Sequence, residues 1–498
     1  MRKILSLIVC FFILFSFASC TPIGGENSGT NNGNVSANLV NMDFYAFNDL
    51  HGNLLDSNDR TGGIGISKTS SFLKSYKSMN ENTFVLSTGD MWQGSSEANN
   101  TKGKIVTDWM NLNEFDAMTV GNHEFDWGID AIKENSALAD FPILGINVYE
   151  KSTNARSEVF QTSVLIEAED FSVGIIGAIG DCYSSISSSK VTDYYFKTGD
   201  ELTALVKAES EKLKDNGADF IVYSIHDGYE NSINDNTPPT LNASDLDYFY
   251  DVSLSNGYVD VVFEAHTHQS YVYKDEYGVY HLQASSNNRA IAHVDADYNK
   301  KTGKVTVNKA ELTKTDSLIL LKDEETEKLF DKYSEEIGAV YEVLGTNYRT
   351  RYSEDLEDLT ANLYLEAGLK EWGDYPIFLG GGFLRTRSPY NLKSGDVCYK
   401  DLQSLFPFDN DIVLCSVSGY YLNKQFVSTS NNDYHCSYSA YGSENKNSIK
   451  NDEIYYIVVD SYTSDYAPNH LTVVKRYSKE GVYARDLLAD YIKAGGLS

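Results

Sequence analysis

Short apolar runs recur along the first half of the chain, and each one stops at a cluster of Gly, Asn, Asp or His. The runs are rich in β-branched and aromatic residues, which favours strands over helices. Short apolar runs between turn-forming residues are typical of interior strands, so the pattern predicts a layered α/β fold. The five runs are Phe44–Phe47, Phe84–Leu86, Ala117–Val120, Phe220–Tyr223 and Val261–Phe263.

The residues that follow these runs are typical metal ligands. Ligands collect beyond the carboxyl ends of strands in layered α/β folds, so we expect these side chains to meet in one site. The candidate metal ligands are Asp49, His51, Asp90, Asn122, His226, His266 and His268. The histidines outside these motifs are predicted to be packed or hydrogen-bonded residues, and they are His281, His293, His435 and His470.

This ligand set suits two divalent ions that act on a phosphate ester. Two cations about 3.5–4 Å apart can clamp a phosphoryl group and lower the pKa of a bound water. Asp90 is the candidate bridge between them, because a carboxylate offers two oxygens. Imidazole and carboxylate ligands favour Mn, Zn, Co or Fe over Ca. His123 and Asp126 are the candidate catalytic pair, since an Asp that fixes the tautomer of a His prepares it for proton donation.

These motifs resemble those of the 5'-nucleotidase family of calcineurin-like metallophosphoesterases, which includes UDP-sugar hydrolases and 2',3'-cyclic-nucleotide phosphodiesterases. The resemblance runs from about Asp43 to the C-terminus. It implies catalytic roles for His123 and Asp126. The ligand sets that it implies are Asp49, His51, Asp90 and His268 for one ion, and Asp90, Asn122, His226 and His266 for the other. The chain has Ala265 where the family usually has Gly; because a β-carbon limits positive φ, we expect a slightly altered loop.

The second half of the chain carries no further metal-ligand motif. Helical spacing of apolar residues predicts an amphipathic helix over 324–344, within a connector at 319–349, and another helix over 354–372. Later segments resemble those that contact substrate in the family. The substrate-binding residues implied by the resemblance are Asn147, Arg385, Arg387, Phe408, Asn410 and Tyr462.

Several of these residues carry open alternatives. Either Arg385 or Arg387 could contact phosphate, because one extra residue stands before the arginine of the family segment. Phe408 is expected to stack on a nucleobase, and Tyr462 is the candidate second ring, with Tyr466 as the alternative. The family's Gly-Gly-Asp-Gly-Tyr segment is altered here, which leaves the identity of the base open. Asn147 ends a strand, so it could equally be a strand-end cap.

The N-terminal sequence predicts that the protein is exported across the cytoplasmic membrane. Ile4–Ala18 is almost unbroken apolar sequence after a charged start, too short for a comfortable membrane span. The segment that ends at Cys20 resembles a bacterial lipobox, which implies residues 1–20 as a lipoprotein signal peptide and anchoring to the membrane of the cell envelope through lipidated Cys20. An ordinary secretory signal is the alternative. Residues 21–40 are predicted to be a flexible tether, because Gly, Asn and Ser dominate them.

The net charge excludes one class of binding partner. The net charge of −30 argues against binding of nucleic-acid polymers, which needs a basic surface. No obligate protein partner is evident.

An extracytoplasmic location permits disulfides, and the remaining cysteines allow three pairings among which the sequence does not choose. Those cysteines are Cys182, Cys398, Cys415 and Cys436, and Cys182 could be a buried free thiol.

The sequence therefore predicts an α/β protein with a four-layer α/β/β/α metallophosphoesterase domain over 41–318 and a smaller α/β domain over 350–498. We expect two divalent metal ions and a nucleotide phosphoester substrate, most simply a nucleoside 5'-monophosphate. A UDP-sugar or a 2',3'-cyclic nucleotide is an alternative substrate. A binding or adhesion lipoprotein on a retired hydrolase fold is the alternative from a different functional class.

Overall fold

The structure is a computed structural model that describes residues 38–56, 63–230, 249–382, 391–427, 435–438, 449–467, 469–477 and 482–497. The predicted signal peptide lies outside these residues, as does the tether up to residue 37. The first strand begins at Leu39, so the last two residues of the predicted tether belong to the sheet instead. Within the described residues, no helix is both long and apolar enough to cross a membrane.

All five predicted strands are present, and they belong to two sheets that fill residues 39–314. The strands of this region are β1 Leu39–Phe47, β2 Thr83–Ser87, β3 Ala117–Thr119, β4 Ile143–Leu144, β5 Val148–Glu150, β6 Ser163–Glu167, β7 Ser172–Ile179, β8 Tyr194–Phe196, β9 Phe220–His226, β10 Val261–Phe263, β11 Ser270–Lys274, β12 Tyr280–Ala284, β13 Ala290–Asn299 and β14 Lys304–Lys314. One sheet has the order β14-β13-β1-β2-β3-β4 and the other β11-β12-β10-β9-β7-β6, while β5 pairs with β8.

The helices of this region lie outside the two sheets. They are α1 Ile66–Met79, α2 Ser96–Asn100, α3 Lys104–Leu112, α4 Ile129–Leu138 and α5 Gly199–Asp215. Short 3-10 helices occupy His123–Trp127, Asp181–Ser185, Ser188–Lys190, Val252–Ser255 and Thr315–Ser317.

The core shows the predicted four layers. Phe44 of β1 packs on Phe220 of β9 with ring centroids 5.2 Å apart, so the two sheets meet face to face. Trp109 of α3 is buried against the outer side of the first sheet, and Val206 of α5 against the outer side of the second. Burial of these large apolar side chains is the main favourable contribution to folding. The α/β/β/α sandwich is confirmed.

Residues 343–497 build a separate sheet with its own core. Its order is β19-β16-β20-β18-β21, and β15 pairs with β17 nearby. The elements from residue 324 onward are α6 Glu324–Lys332, α7 Ser334–Ala339, β15 Val343–Asn347, α8 Ser353–Glu371, β16 Ile377–Gly382, β17 Gly395–Cys398, α9 Tyr399–Leu405, β18 Ile412–Ser418, α10 Gly419–Tyr421 with a π-helical turn over Leu422–Val427, β19 His435–Tyr438, β20 Ile454–Asp460, α11 Ser461–Tyr466, β21 Leu471–Arg476 and α12 Ala484–Lys493.

The helix predicted over 354–372 is confirmed as α8. The helix predicted over 324–344 is wrong in extent, because the chain forms α6 and α7 there and enters β15 at Val343. Tyr333 separates the two helices at φ −103° and ψ 19°. Its buried ring packs on the sandwich and its hydroxyl donates to Asp108 at 2.7 Å, so tertiary contacts outweigh the helical pattern.

Candidate metal centre

Five strand ends deliver the predicted ligands to one edge of the sandwich. β1, β2 and β3 run parallel in the first sheet, and β9 and β10 run parallel in the second. Their carboxyl ends therefore point the same way within each sheet, and the loops after them converge. The predicted ligands brought together in this way are Asp49, His51, Asp90, Asn122, His226, His266 and His268.

One group of ligand atoms comes from Asp49, His51 and His268. The Nε2 atoms of His51 and His268 lie 3.0 Å apart, and His268 Nε2 lies 3.4 Å from Asp49 Oδ1. His51 Nδ1 lies 2.9 Å from the carbonyl oxygen of Gln93. A carbonyl only accepts, so Nδ1 carries the proton and Nε2 presents its lone pair to the group.

A second group forms beside it. Asn122 Oδ1 lies 3.1 Å from His226 Nε2 and 2.9 Å from His266 Nδ1, and His226 Nε2 lies 3.2 Å from Asp90 Oδ2. His226 Nδ1 lies 2.7 Å from the carbonyl oxygen of Thr88, which fixes its tautomer in the same way. Asp90 has ligand atoms close to His51 on one side and to His226 on the other. It therefore occupies the position expected of a bridging carboxylate.

The donor set fits divalent cations. Asp49 and Asp90 are 0% and 1% exposed, and their ion-pair partners among the described residues are histidines. Buried carboxylates need a cationic partner or a metal, because desolvation of an unpaired charge is costly. Burial lowers the pKa of His51 and of His266 to about 4, which outweighs the opposite effect of Asp90. Both rings are therefore neutral and able to ligate.

The ligand loops carry backbone strain. Five of the seven predicted ligands lie in the left-handed region, which residues other than glycine seldom adopt. Their φ angles are 49° for Asp49, 50° for His51, 54° for Asp90, 67° for His266 and 59° for His268. Such strain persists only where the surroundings enforce it, and it concentrates at functional sites. The positive φ falls on His266 and not on Ala265, so the β-carbon of Ala265 adds no strain there.

Glu124 anchors the loop that carries Asp90. Its buried carboxylate accepts the backbone N–H groups of Asp90 and Met91 at 2.9 Å, of Gly121 at 2.7 Å and of Trp92 at 3.3 Å. Hydrogen bonds to a carboxylate are roughly twice as strong as neutral ones. This fixes the loop after β2 against the loop after β3.

His123 and Asp126 form the predicted pair. His123 Nδ1 lies 2.8 Å from Asp126 Oδ2, within the 3-10 helix that follows Asn122. Burial disfavours the charged ring, but Asp126 and Asp90 outweigh it and raise the pKa of His123 to about 9. With Nδ1 held by Asp126, the Nε2–H group is the one available to a ligand.

A cavity of about 750 Å³ lies over these groups, between the sandwich and the sheet built by residues 343–497. Its volume is in the range of small-molecule sites. The predicted residues in its wall are Asp90, Asn122, His123, Asp126, His266, His268, Phe408, Asn410 and Tyr462. The structure thus brings three of the predicted substrate-binding residues to the same cavity as the predicted metal ligands.

The loop over 184–190 also lines this cavity, and the sequence analysis missed it. Its residues at the wall are Ser184, Ser185, Ile186, Ser187, Ser188 and Lys190. Asp465 of α11 accepts hydrogen bonds from Ser187 at 2.5 Å and from Ser188 at 3.1 Å. These bonds join the loop to the part of the cavity wall that residues 343–497 form. Nothing in a serine-rich stretch distinguishes a cavity wall from a surface turn, so no sequence signal marks this loop.

Phe408 is held over His123. The two rings are parallel within 6° and 5.6 Å apart. Buried Arg485 donates to the carbonyl oxygens of Phe406 and Phe408 at 3.2 Å and pairs with Asp409. Because Arg485 binds the backbone of Phe406 and Phe408, it holds the segment that carries the ring at the cavity.

Two other groups of predicted residues stand apart. Asn147 is buried and does not line the cavity; its side chain bonds to the carbonyl oxygens of Ile179 and Lys197 at 2.6 and 2.9 Å and to the N–H of Ile179 at 3.2 Å. This is the strand-end role that the sequence left as the alternative. Arg385 and Arg387 lie outside the described residues.

The thiols also have definite surroundings. Cys182, Cys398 and Cys415 are free, and Cys182 is buried, as predicted. The Cys182 Sγ lies near the ligand atoms of His226 and His266 and donates to the carbonyl oxygen of His226 at 2.8 Å. Burial holds the pKa of this thiol well above its usual range.

Comparisons with known proteins agree with this geometry. The calcineurin-like phosphoesterase family matches residues 42–270. The chain is similar to endonuclease YhcR of Bacillus subtilis, with 28% identity over 412 residues that cover 76% of this chain and 32% of YhcR. It is similar to UshA of Yersinia enterocolitica, with 23% identity over 432 residues that cover 77% of this chain and 75% of UshA. The chain therefore spans about a third of the length of YhcR.

A solved structure gives the same fold over most of the chain. The 5'-nucleotidase precursor of Thermus thermophilus superimposes with a TM-score of 0.62 at 17% identity, covering 91% of this chain and 96% of that one. At this identity the similarity concerns the fold. Residues 42–270 are therefore a calcineurin-like phosphoesterase domain, the domain of a family of metal-dependent phosphoester hydrolases, in a chain whose relatives are UshA-type proteins and 5'-nucleotidases.

Proposed function

We propose that this chain hydrolyses nucleotide phosphoesters with two divalent metal ions. One ion would be held by Asp49, His51, Asp90 and His268, and the other by Asp90, Asn122, His226 and His266. Mn, Zn, Co and Fe suit these nitrogen and oxygen donors. Ions bound there would supply charge for the phosphoryl oxygens and acidify water.

The observation that carries this proposal is the convergence of acceptor atoms. His51 Nε2 and His268 Nε2 face each other at 3.0 Å beside Asp49, and His51 has its proton on the opposite nitrogen. Asn122 Oδ1 faces two further imidazole nitrogens within 3.1 Å. A divalent cation bound between these convergent nitrogen and oxygen atoms would be ligated by all of them.

His123 is proposed to bind and protonate the reacting phosphate ester. Asp126 holds its Nδ1 at 2.8 Å and keeps the ring charged at neutral pH. The imidazolium then offers Nε2–H to a phosphoryl oxygen or to the leaving oxygen. Asp90 Oδ1 accepts the backbone N–H of His123 at 2.8 Å, which ties the catalytic pair to the ligand cluster.

The substrate is proposed to be a nucleoside 5'-monophosphate. Phe408 and Tyr462 line the cavity that also contains His123 and Asp90. Aromatic faces suit a nucleobase without reading its edge. The names of relatives and neighbours, among them a 5'-nucleotidase of snake venom, support the nucleotide class. The catalytic chemistry is then proposed for residues 41–318 and binding of the nucleoside for residues 350–498. Residues 319–349 connect these two domains.

The proposed location is the outside of the cytoplasmic membrane, with a lipid anchor at Cys20. The support is the charged start, the apolar segment Ile4–Ala18 and the lipobox-like end. Replacing Cys20 by Ser in the full chain should release the protein from the membrane fraction of the expressing bacterium, whereas an ordinary secretory signal would leave its distribution unchanged.

The deciding experiment measures phosphate release from AMP, GMP, UMP, UDP-glucose, ATP, 2',3'-cyclic AMP and para-nitrophenyl phosphate, with Mn²⁺ and with EDTA. We expect EDTA-sensitive release that favours the monophosphates. His123→Ala should cut turnover and leave the metal content unchanged, while His470→Ala, an exposed histidine stacked on Tyr421, should do neither.

The other outcomes separate the alternatives. Preference for UDP-glucose or for the cyclic nucleotide would reassign the substrate, and release from para-nitrophenyl phosphate alone would remove the nucleotide pocket. No release from metal-loaded protein would favour a binding protein. A single-stranded oligonucleotide should resist cleavage because of the charge of −30; cleavage would instead place the chain beside the endonuclease among its relatives.

A further inference from the structure

The loop between β10 and β11 carries two predicted ligands in a strained backbone. His266 and His268 have φ angles of 67° and 59°. The left-handed region is unfavourable for residues other than glycine, so neighbouring groups must hold the loop in place. The groups that hold this loop belong to the sandwich sheet that contains β10, β11 and β12.

Gln283 of β12 fastens this loop on both flanks. Its side chain is fully buried. Nε2 donates to the carbonyl oxygen of Ala265 at 2.8 Å, one residue before His266. Oε1 accepts the N–H of Gln269 at 2.7 Å and the hydroxyl of Thr267 at 2.9 Å. One amide therefore contacts the residues before, between and after the two histidines.

Tyr271 connects Gln283 to an acidic residue at the start of the loop. Its hydroxyl accepts the second N–H of Gln283 Nε2 at 3.1 Å and donates to the carboxylate of Glu264. It also accepts the backbone N–H of Tyr229 at 3.2 Å. The hydroxyl thus fixes which way the amide of Gln283 faces.

Glu264 is held in turn by a buried histidine. His281 Nδ1 lies 2.6 Å from Glu264 Oε1, and His281 Nε2 lies 3.3 Å from Asp275 Oδ2. The ring stacks on Tyr273 at 4.6 Å, 13° from parallel. Both ring nitrogens face carboxylates, so both donate, and the charged ring balances one of the two acids. The sequence predicts a packed or hydrogen-bonded His281, which the structure confirms, and the ring lies at the centre of this network.

A buried ionic network is a weak source of stability, so folding alone does not account for this one. Replacing a buried ionic cluster by apolar residues of similar volume is often neutral or stabilising. Its contacts lead instead to the ligand loop, through Glu264 directly and through Tyr271 and Gln283. Partners that orient metal ligands commonly govern metal affinity.

We propose that Gln283, Tyr271 and Glu264 are positioning residues that set the metal affinity of the centre through His266 and His268. This inference rests on the proposed function, because it needs those histidines to ligate. It extends that function to residues at positions 264, 271, 281 and 283, which lie outside the cavity wall and outside the proposed ligand set.

The test compares two tyrosines two residues apart on β11. Tyr271→Phe removes the linking hydroxyl, and Tyr273→Phe removes a buried hydroxyl that has no hydrogen-bond partner among the described residues. Titration of metal-free protein with Mn²⁺ gives the dissociation constant, and thermal unfolding of the metal-free form gives stability. We expect Tyr271→Phe to weaken Mn²⁺ binding about 10- to 100-fold, and Tyr273→Phe to leave it unchanged.

Two results would overturn the proposal, and they differ in meaning. Equal Mn²⁺ affinity for wild type and Tyr271→Phe, even with a lower melting temperature, would make the network structural only. No Mn²⁺ binding by wild type would remove the proposed metal centre itself. Gln283→Met is the second variant, because it keeps length and removes all four of the amide's hydrogen bonds; it should weaken Mn²⁺ binding at least as much as Tyr271→Phe.

Discussion

Replacing Asp126 by Asn tests the catalytic pair with a change of one atom. The hydrogen bond between His123 Nδ1 and Asp126 Oδ2 is 2.8 Å long, and the two side chains are only 20% and 17% exposed. A hydrogen bond to a charged group contributes about 1.5–3 kcal/mol. If the bond acts in the transition state, its loss should lower kcat by about 10- to 150-fold, at about 1.4 kcal/mol per factor of ten.

The pH profile gives an independent signature. Although burial opposes the charge, Asp126 and Asp90 raise the pKa of His123 to about 9, so turnover should fall as pH rises through that range. The Asn variant loses the largest contribution that raises this pKa, and its alkaline limb should move to lower pH. Bound divalent ions lower the pKa in both proteins, so the direction of the difference is retained.

The assay is steady-state phosphate release from AMP with saturating Mn²⁺, from about pH 6 to about pH 10 to bracket the expected limb, with metal content measured on the same samples. Asp130→Asn is the matched control, because Asp130 is 86% exposed and pairs with Lys133 on the surface of α4. It should not change turnover. An unchanged kcat or an unmoved alkaline limb in Asp126→Asn, with metal retained, would refute the role of the pair.

Three further predictions concern metal, substrate and packing. EDTA should abolish turnover and lower the melting temperature, and Mn²⁺ or Co²⁺ should restore both. A ligand at about 100 times its Kd stabilises the folded protein by about 2.7 kcal/mol, and scanning calorimetry measures the resulting change in melting temperature. Phe408→Ala should lower kcat/KM for AMP by about 5- to 150-fold, which corresponds to a stacking contribution of about 1–3 kcal/mol, and leave glycerol phosphate hydrolysis unchanged. Gly368→Ala should destabilise by about 1–3 kcal/mol in urea, because a β-carbon would lie 2.3 Å from Val458 Cγ2, whereas Gly338→Ala meets open space and should stabilise helix α7.

The metal centre could be predicted because its signal is local. Each ligand follows an apolar run within a few residues, and strand polarity then brings the ends together, as for Asp49 after β1 and His226 at the end of β9. The break at Tyr333 could not be predicted, since it depends on a contact with Asp108 far along the chain. The network behind the ligand loop could not be predicted either. The partner of Glu264, His281, lies 17 positions away, and only the pairing of β10 with β12 brings them together.

The left-handed ligands imply a trade-off between stability and function. Glycine or asparagine at these five positions would relieve the backbone without disturbing the sheets. A descendant that no longer used metal would gain stability from each such exchange, so relaxed selection should remove these residues early. Here the side chains remain Asp49, His51, Asp90, His266 and His268, each at a positive φ. His268→Gly should therefore bind metal more weakly than wild type, and without metal it should melt at a higher temperature than metal-free wild type. The stability of the metal-free protein then measures what the ligand residues cost the fold.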